Sequence, residues 1–304
     1  LEEFPQRLVV LGGGVVAAEF SHVFSALGAQ VYQVVRSNRI LREVDKEVVD
    51  RFIEAASHQW NILLEGSLVE IRENGDGTVT VVVEHDGEVE EIVADAVLAA
   101  TGRRSNSDTL KASSFFDVDS RGFIGTDKYQ RVLYNGSPVP GVFALGDVSS
   151  PFQLKHVANH EARTVQHNLS HPDSFVASDH RFVPAAVFSN PQIATVGLSE
   201  ENARKLGERE GFEVTVKSQN YGDTAYGWAM EDSVGLAKLI ARKDTGQLLG
   251  AHLVGEEASV LIQPLIQAMS FGLGVKDMAR GQYWIHPALT EVIENALLGL
   301  DVDN

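Results

Sequence analysis

The spacing of apolar positions divides the first hundred residues into alternating strands and helices. Arg7–Leu11 is a short apolar run that stops at Gly12-Gly13-Gly14. Val15–Leu27 follows, with Val16, Phe20, Val23, Phe24 and Leu27 on one helical face, and Gly28 ends it. Gln30–Val35 predicts a second strand, and Asp45–Gln59 a helix with Val48, Val49, Phe52, Ile53 and Ala56 at helical spacing. Ile62–Glu65, Leu68–Glu73, Val79–Glu84 and Glu88–Val93 read as strands; Asn74-Gly75-Asp76-Gly77 and Asp86-Gly87 are hairpin turns between the last three. Ala94–Ala100 predicts a buried strand ending at Thr101-Gly102. A βαβ unit followed by a β-meander predicts a mixed sheet of the dinucleotide-binding kind.

The pattern weakens from Arg103 to about Gly141, a polar stretch rich in Gly and Ser. Val142–Leu145 reads as a strand closing on Gly146-Asp147, and His156–Leu169 as a helix. The polar segment His171–Arg181, with Pro172, marks a boundary. Beyond Phe182, strands at Ala186–Ser189, Ala194–Leu198, Glu213–Gln219, Ala237–Ala241 and Leu248–Leu253 surround a helix at Asn202–Gly207. Long helices at Ala258–Phe271 and Pro287–Leu298 complete an α+β domain. The chain thus reads as α/β, a Rossmann-like domain over 1–103, a central segment over 104–180, and an α+β domain over 181–304.

Composition narrows the partners. With 25 Lys+Arg against 42 Asp+Glu, the 304 residues carry a net charge of −17, which argues against nucleic acid or an anionic membrane. No run of 18 apolar residues predicts a bilayer span, and Leu1–Gln6 does not read as a signal peptide, so cytosol is the default compartment. Apolar residues at 44% suffice for a core without staples. There is no Cys, so these residues hold no disulfide, thiolate metal site or redox dithiol. His156 and His160, at i, i+4, have a zinc-compatible spacing but no third ligand, and an exposed helix face is the simpler reading; no metal site is expected.

Candidate chemistry begins at Gly12-x-Gly14-x-x-Ala17, which follows a predicted strand and opens a predicted helix. Gly12 suits a tight turn, Gly14 lets backbone approach a pyrophosphate, and Ala17 permits close helix–strand packing at a helix N-terminus that favours negative charge. NAD sites place an acid at the end of the next strand to accept from the ribose 2′-hydroxyl. Here Val35 holds that place, followed by Arg36, Arg39 and Arg42, with no carboxylate until Glu43. Guanidinium groups suit a 2′-phosphate, so NADPH is expected over NADH; a solvated loop with ordinary arginines is the alternative.

Four motifs occur in order: Gly12-x-Gly14-x-x-Ala17-x-Glu19, Ala100-Thr101-Gly102-Arg103, Gly141-Val142-Phe143-Ala144-Leu145-Gly146-Asp147-Val148, and His286-Pro287-x-x-x-Glu291. Together they resemble the pyridine nucleotide–disulfide oxidoreductases over the whole chain. Lys155–Arg163, Tyr226–Asp232 and Gly281–Leu289 resemble one branch of that family more than the others. The resemblance implies NADPH binding at Gly12, Gly14, Ala17 and Gly102, with Arg36 and Arg42 on the 2′-phosphate. It implies FAD near Glu19, Asp147 on its ribityl chain, and backbone N–H groups of Leu154–Ala158, including His156 and Ala158, facing its pyrimidine. It implies an acid–base dyad, His286 and Glu291, working on a small-molecule disulfide across a homodimer interface, with 181–304 as the dimerisation domain.

The family's first dinucleotide loop and its Cys-x4-Cys pair are not found in this sequence, so 104–180 reads as a partial flavin-side segment. The chain alone is expected to be inactive, and a non-catalytic NADPH-binding dimerisation module remains an alternative. Around the dyad, Pro287 is expected to start the helix, after a cis peptide as the resemblance implies. His286 then sits at the helix mouth, and Glu291 one turn in fixes its tautomer. Taken alone, that segment reads equally as an N-cap histidine with a solvated helix acid.

Overall fold

The computed structural model describes residues 3–303. The chain divides into two compact units, Leu1–Gly102 with Pro184–Asn304, and Arg103–Val183. The first unit opens with β1 (Arg7–Leu11), α1 (Val15–Ala26), β2 (Gln30–Val35), α2 (Lys46–Ala56), β3 (Asn61–Leu64), β4 (Ser67–Glu73), β5 (Val79–His85), β6 (Glu88–Ala94) and β7 (Ala96–Ala99). Strands β3-β2-β1-β7 form a parallel sheet, and β4-β5-β6 a separate antiparallel one. The single mixed sheet expected from the sequence is therefore two layers.

The two-residue period of β1 explains the split. Leu8 and Val10 face one way, into a cluster with Val48, Val49 and Phe52 of α2. Val9 and Leu11 face the other way, onto Val81, Val83 and Ile92 of the meander. A central parallel strand is apolar on both faces because it needs a layer on each side.

Helix α1 corrects the sequence reading. Its large apolar residues do not face the core: Val16, Phe20, Val23 and Leu27 are exposed, while Ala17, Ala18 and Ser21 are buried. Small side chains let the helix lie close to the sheet, which turns the bulky stripe outward; Phe24 alone of the expected face packs on the core.

In the second unit, β8 (Arg131–Tyr134) and β9 (Ser137–Phe143) form a hairpin, and α3 spans Lys155–Ser170. A small core of Ala112, Ile124 and Val132, with Val142 and Ala144 against it, holds the unit. The expected strand at Val142–Leu145 begins earlier and stops at Phe143.

The first unit resumes with β10 (Ala185–Val187), β11 (Gln192–Gly197), α4 (Glu200–Glu210), β12 (Val214–Asn220), α5 (Ala225–Ala229), β13 (Leu236–Arg242) and β14 (Leu248–Gly255). These strands form an antiparallel sheet in the order β10-β11-β14-β13-β12. Helices α6 (Ala258–Leu261), α7 (Gln263–Phe271), α8 (Val275–Arg280) and α9 (Glu291–Leu298) follow. The expected helix Ala258–Phe271 is broken after Leu261, where Pro264 stands in the first turn of α7; proline is accommodated at a helix start but not inside one. The last helix begins at Glu291, not at Pro287. Residues 288–290 instead form a tighter turn, with Glu291 and Val292 donating to the carbonyls of Ala288 and Leu289.

Candidate functional site

The glycine loop is held from both neighbouring strands. The Gly12 N–H donates to Val34 O (2.9 Å), and the Ala100 N–H to Leu11 O (2.8 Å). Gly12 has φ +139°, and a Cβ there would lie 2.3 Å from Ala100 O, so only glycine fits. Gly14 is different. A Cβ on it would meet no protein atom within 4 Å, and its open side faces a cavity. Helix α1 starts at Gly14 with no side-chain cap and no acid in its first turn, leaving N–H groups and a positive dipole end for an anion. Ala17 is fully buried at this packing point.

A contact the sequence reading missed steadies the loop. The buried Gln33 donates from Nε2 to Gly12 O (3.0 Å), and its Oε1 accepts from Trp60 Nε1 (3.0 Å). Gln33, set between Val31 and Val35 in the interior of a central strand, was the available signal, since a buried amide must find partners.

The cavity measures about 830 Å³ and is lined by Gly12, Gly14, Gly102, Arg36 and Arg42, with Glu43 also on its wall. Ala185, Val187, Ile193 and Thr195 of β10 and β11 close its apolar side. Arg39, grouped by sequence with the other two arginines, does not line it. Its guanidinium donates to the Arg42 carbonyl (2.6 Å), so it braces the loop. Leu41 adopts φ +48°, and its N–H donates to Gly13 O (2.7 Å), tying the arginine loop to the glycine loop. Glu19 does not line the cavity; its Oε1 accepts from the Phe188 N–H (2.9 Å).

In the C-terminal part, His286 Nδ1 lies 2.7 Å from Glu291 Oε1, and Glu291 Oε2 accepts from the Ala288 N–H (3.3 Å). Because the carboxylate can only accept, Nδ1 carries the proton and Nε2 points away from the pair. The imidazole donor, aided by Ala288 N–H, holds the Glu291 carboxyl below its usual range. Glu291 is 17% exposed and His286 68%, so the acid is anchored while the ring faces outward. The His286–Pro287 peptide is cis. Tyr283 and Ile285, beside the histidine, are also exposed.

In the second unit, Asp147 pairs with Arg103 (2.9 Å). The Gly146 N–H before it donates to Glu161 Oε2 (2.6 Å), and Glu161 Oε1 meets His180 Nε2 (2.9 Å). Glu161 is almost fully buried. This pair joins residues 19 apart that no helical or strand period connects. In the first unit, His252 is buried between Thr195 Oγ1 (2.5 Å) and Leu198 O (2.9 Å), and burial pushes its pKa down. Helix α3 starts after Leu154 with no side-chain cap and no acid in its first turn, and the Ala158 N–H donates to Leu154 O (3.0 Å). Gly146, at φ +68°, lies against Ala158, where a Cβ would come within 3.3 Å of the Ala158 Cβ. Among the described residues, no group of three or more His, Asp or Glu is placed to hold a metal ion, and no helix is long and apolar enough to cross a membrane.

The chain thus combines a Rossmann-type glycine loop that faces a cavity lined by Arg36 and Arg42 with a hydrogen-bonded His286–Glu291 pair on a following α+β domain. The sequence model of the pyridine nucleotide-disulphide oxidoreductase family matches residues 1–162, and that of the family's dimerisation domain matches 183–297; the chain belongs to this family. It is 52% identical over 305 residues to mycothione reductase of Mycobacterium tuberculosis, covering 99% of this chain and 63% of that protein. It is 33% identical to dihydrolipoyl dehydrogenase of a Synechocystis species, covering 97% and 63%. The solved structure of RclA, an HOCl-induced flavoprotein disulfide reductase from Escherichia coli, superposes with a TM-score of 0.85 at 25% identity, covering 98% of this chain and 66% of that one. The chain spans about 63% of the length of these curated relatives.

Proposed function

We propose that the whole protein is an NADPH-dependent, FAD-containing disulfide reductase acting as a homodimer, and that its substrate is mycothiol disulfide. The overall reaction balances as NADPH, one proton and one disulfide giving NADP⁺ and two thiols. The observation that carries this reading is the pairing of a basic-walled dinucleotide cavity with an anchored His286–Glu291 dyad in one chain. The 52% identity to mycothione reductase supports this choice of substrate.

In this reading residues 1–103 bind NADPH, 104–180 contribute to the flavin site, and 181–304 dimerise. The open cradle at Gly14 fits a pyrophosphate, and Arg36 and Arg42 fit a 2′-phosphate. Asp147 and the start of α3, at His156 and Ala158, where no acid stands in the first turn, fit the polar ribityl and pyrimidine parts of a flavin, and the family resemblance assigns Glu19 to the flavin as well. The flavin, when bound, supplies the electron relay between nicotinamide and disulfide. With Nδ1–H donating to Glu291, the His286 ring takes up a second proton at Nε2 and, as the imidazolium, gives it to the departing thiolate, while Glu291 holds the ring in the orientation this requires. The outward-facing ring and the exposed Tyr283 and Ile285 beside it support a site completed by a second subunit. The 304 residues contain no Cys, so by themselves they supply no dithiol, and no NADPH-dependent disulfide reduction is expected of them alone.

The test uses the full-length protein. It should be yellow, with a flavin band, and should oxidise NADPH with mycothiol disulfide far faster than with lipoamide or mercuric ion. Faster turnover of lipoamide with NAD(H) would assign it to another member of the family.

A further inference from the structure

Lys238 lies on β13, far along the chain from the nucleotide loop, and is 4% exposed. Its ammonium meets three carboxylates: Asp45 Oδ1 (3.0 Å), Glu47 Oε2 (3.0 Å) and Glu200 Oε2 (2.7 Å). Asp45 is itself buried and fully engaged. Its Oδ1 also accepts from the Glu47 N–H (3.0 Å), capping α2, and its Oδ2 accepts from the Glu200 N–H (3.0 Å) at the start of α4. Desolvating an ammonium and a carboxylate is costly, and well-packed apolar residues often stabilise as much. What the ion cluster adds is a fixed, directional position for Asp45.

That position matters because of what precedes Asp45 in the chain. Leu41 is tied to Gly13 through its N–H, and the Val44 N–H closes a turn onto Leu41 O (2.9 Å). Arg42 therefore stands on a short span pinned at one end to the glycine loop and at the other to β13. Arg39, donating to the Arg42 carbonyl, braces the middle. We propose that Lys238 is a positioning residue for Arg42, so that a side chain of the dimerisation sheet sets how strongly the cavity selects a 2′-phosphorylated nucleotide. This inference rests on the reading of Arg42 as a 2′-phosphate ligand.

Calorimetric titration of NADPH and NADH into the full-length protein and its variants tests it. In Lys238→Met, NADPH affinity should fall about tenfold, the scale of one misplaced charge-assisted contact, while NADH affinity changes by less than about twofold. Lys238→Arg should restore the preference. In an Arg42→Ala background, Lys238→Met should leave the NADPH/NADH ratio unchanged, because the two act in series. If Lys238→Met does not fold, Asp45→Asn, of the same shape without the charge, carries the same expectation. A wild-type protein without NADPH preference overturns both the arginine reading and this inference. A wild-type preference that survives in Lys238→Met, or an equal loss for both nucleotides, overturns this inference alone.

Discussion

Replacing Glu291 by Gln keeps the shape of the side chain and removes its charge. In the native arrangement the carboxylate accepts from His286 Nδ1 at 2.7 Å and from the Ala288 N–H at 3.3 Å. A charge-assisted hydrogen bond is worth about 1.5–3 kcal/mol and a neutral one about 0.5–1.5 kcal/mol, so orientation of the ring loses about 1 kcal/mol or somewhat more. Since about 1.4 kcal/mol is tenfold in rate, Glu291→Gln should slow disulfide turnover about tenfold. His286→Ala, which removes the proton donor itself, should slow it about 10²–10⁴-fold. Neither change touches the dinucleotide cavity, so flavin reduction by NADPH should proceed at a near-normal rate. Stopped-flow absorbance of the flavin, recorded beside steady-state NADPH oxidation in the full-length protein, reads both half-reactions. The reasoning fails if both rates fall together, or if His286→Ala leaves turnover intact. It fails also if Glu291→Gln lowers flavin reduction as much as turnover, since that indicates a general loss of structure.

Three further outcomes follow from the same geometry. Arg36→Ala should weaken NADPH binding about tenfold and leave NADH binding nearly unchanged, because a charge-assisted phosphate contact is lost; calorimetry with both nucleotides checks this. Gly12→Ala, whose Cβ meets Ala100 O at 2.3 Å, should lower the unfolding midpoint, whereas Gly14→Ala, which meets no protein atom, should fold normally and lose nucleotide affinity; thermal melts beside titrations separate the two. The Lys238 cluster should shape stability at both ends of the pH range. Burial opposes ionisation of Asp45, but the Glu200 N–H and Lys238 outweigh it and hold the carboxyl below its usual range, while Glu200, Asp45 and Glu47 outweigh burial and raise Lys238. The acid contribution is therefore full above about pH 4 and lost as pH falls further, and the lysine contribution is full below about pH 10.5 and lost as pH rises further. Urea unfolding across pH should show both limbs, and both should flatten in Lys238→Met.

The local geometry of the candidate sites was legible in the sequence because short spacings define it. Gly12, Gly14 and Ala17 between an apolar strand and a helix require only neighbouring residues to define a turn, and Arg36 and Arg42 stand within a few positions of the strand end. His286 and Glu291 are five residues apart, so one turn of chain suffices to join them. The tertiary structure decided what period and spacing do not encode. Helix α1 has an apolar stripe, yet it packs through Ala17, Ala18 and Ser21, because closeness to the sheet, and not hydrophobicity alone, selects the inward face. The β-meander has the strand pattern of a sheet extension, but it forms its own layer because β1 is apolar on both faces and needs cover on each. Gln33 with Trp60, Glu161 with His180, and Asp45 with Lys238 are each separated by many residues, and single buried polar side chains say that a partner exists without saying which. Only the folded chain pairs them, since a buried charge or amide is tolerated only where another element delivers its complement.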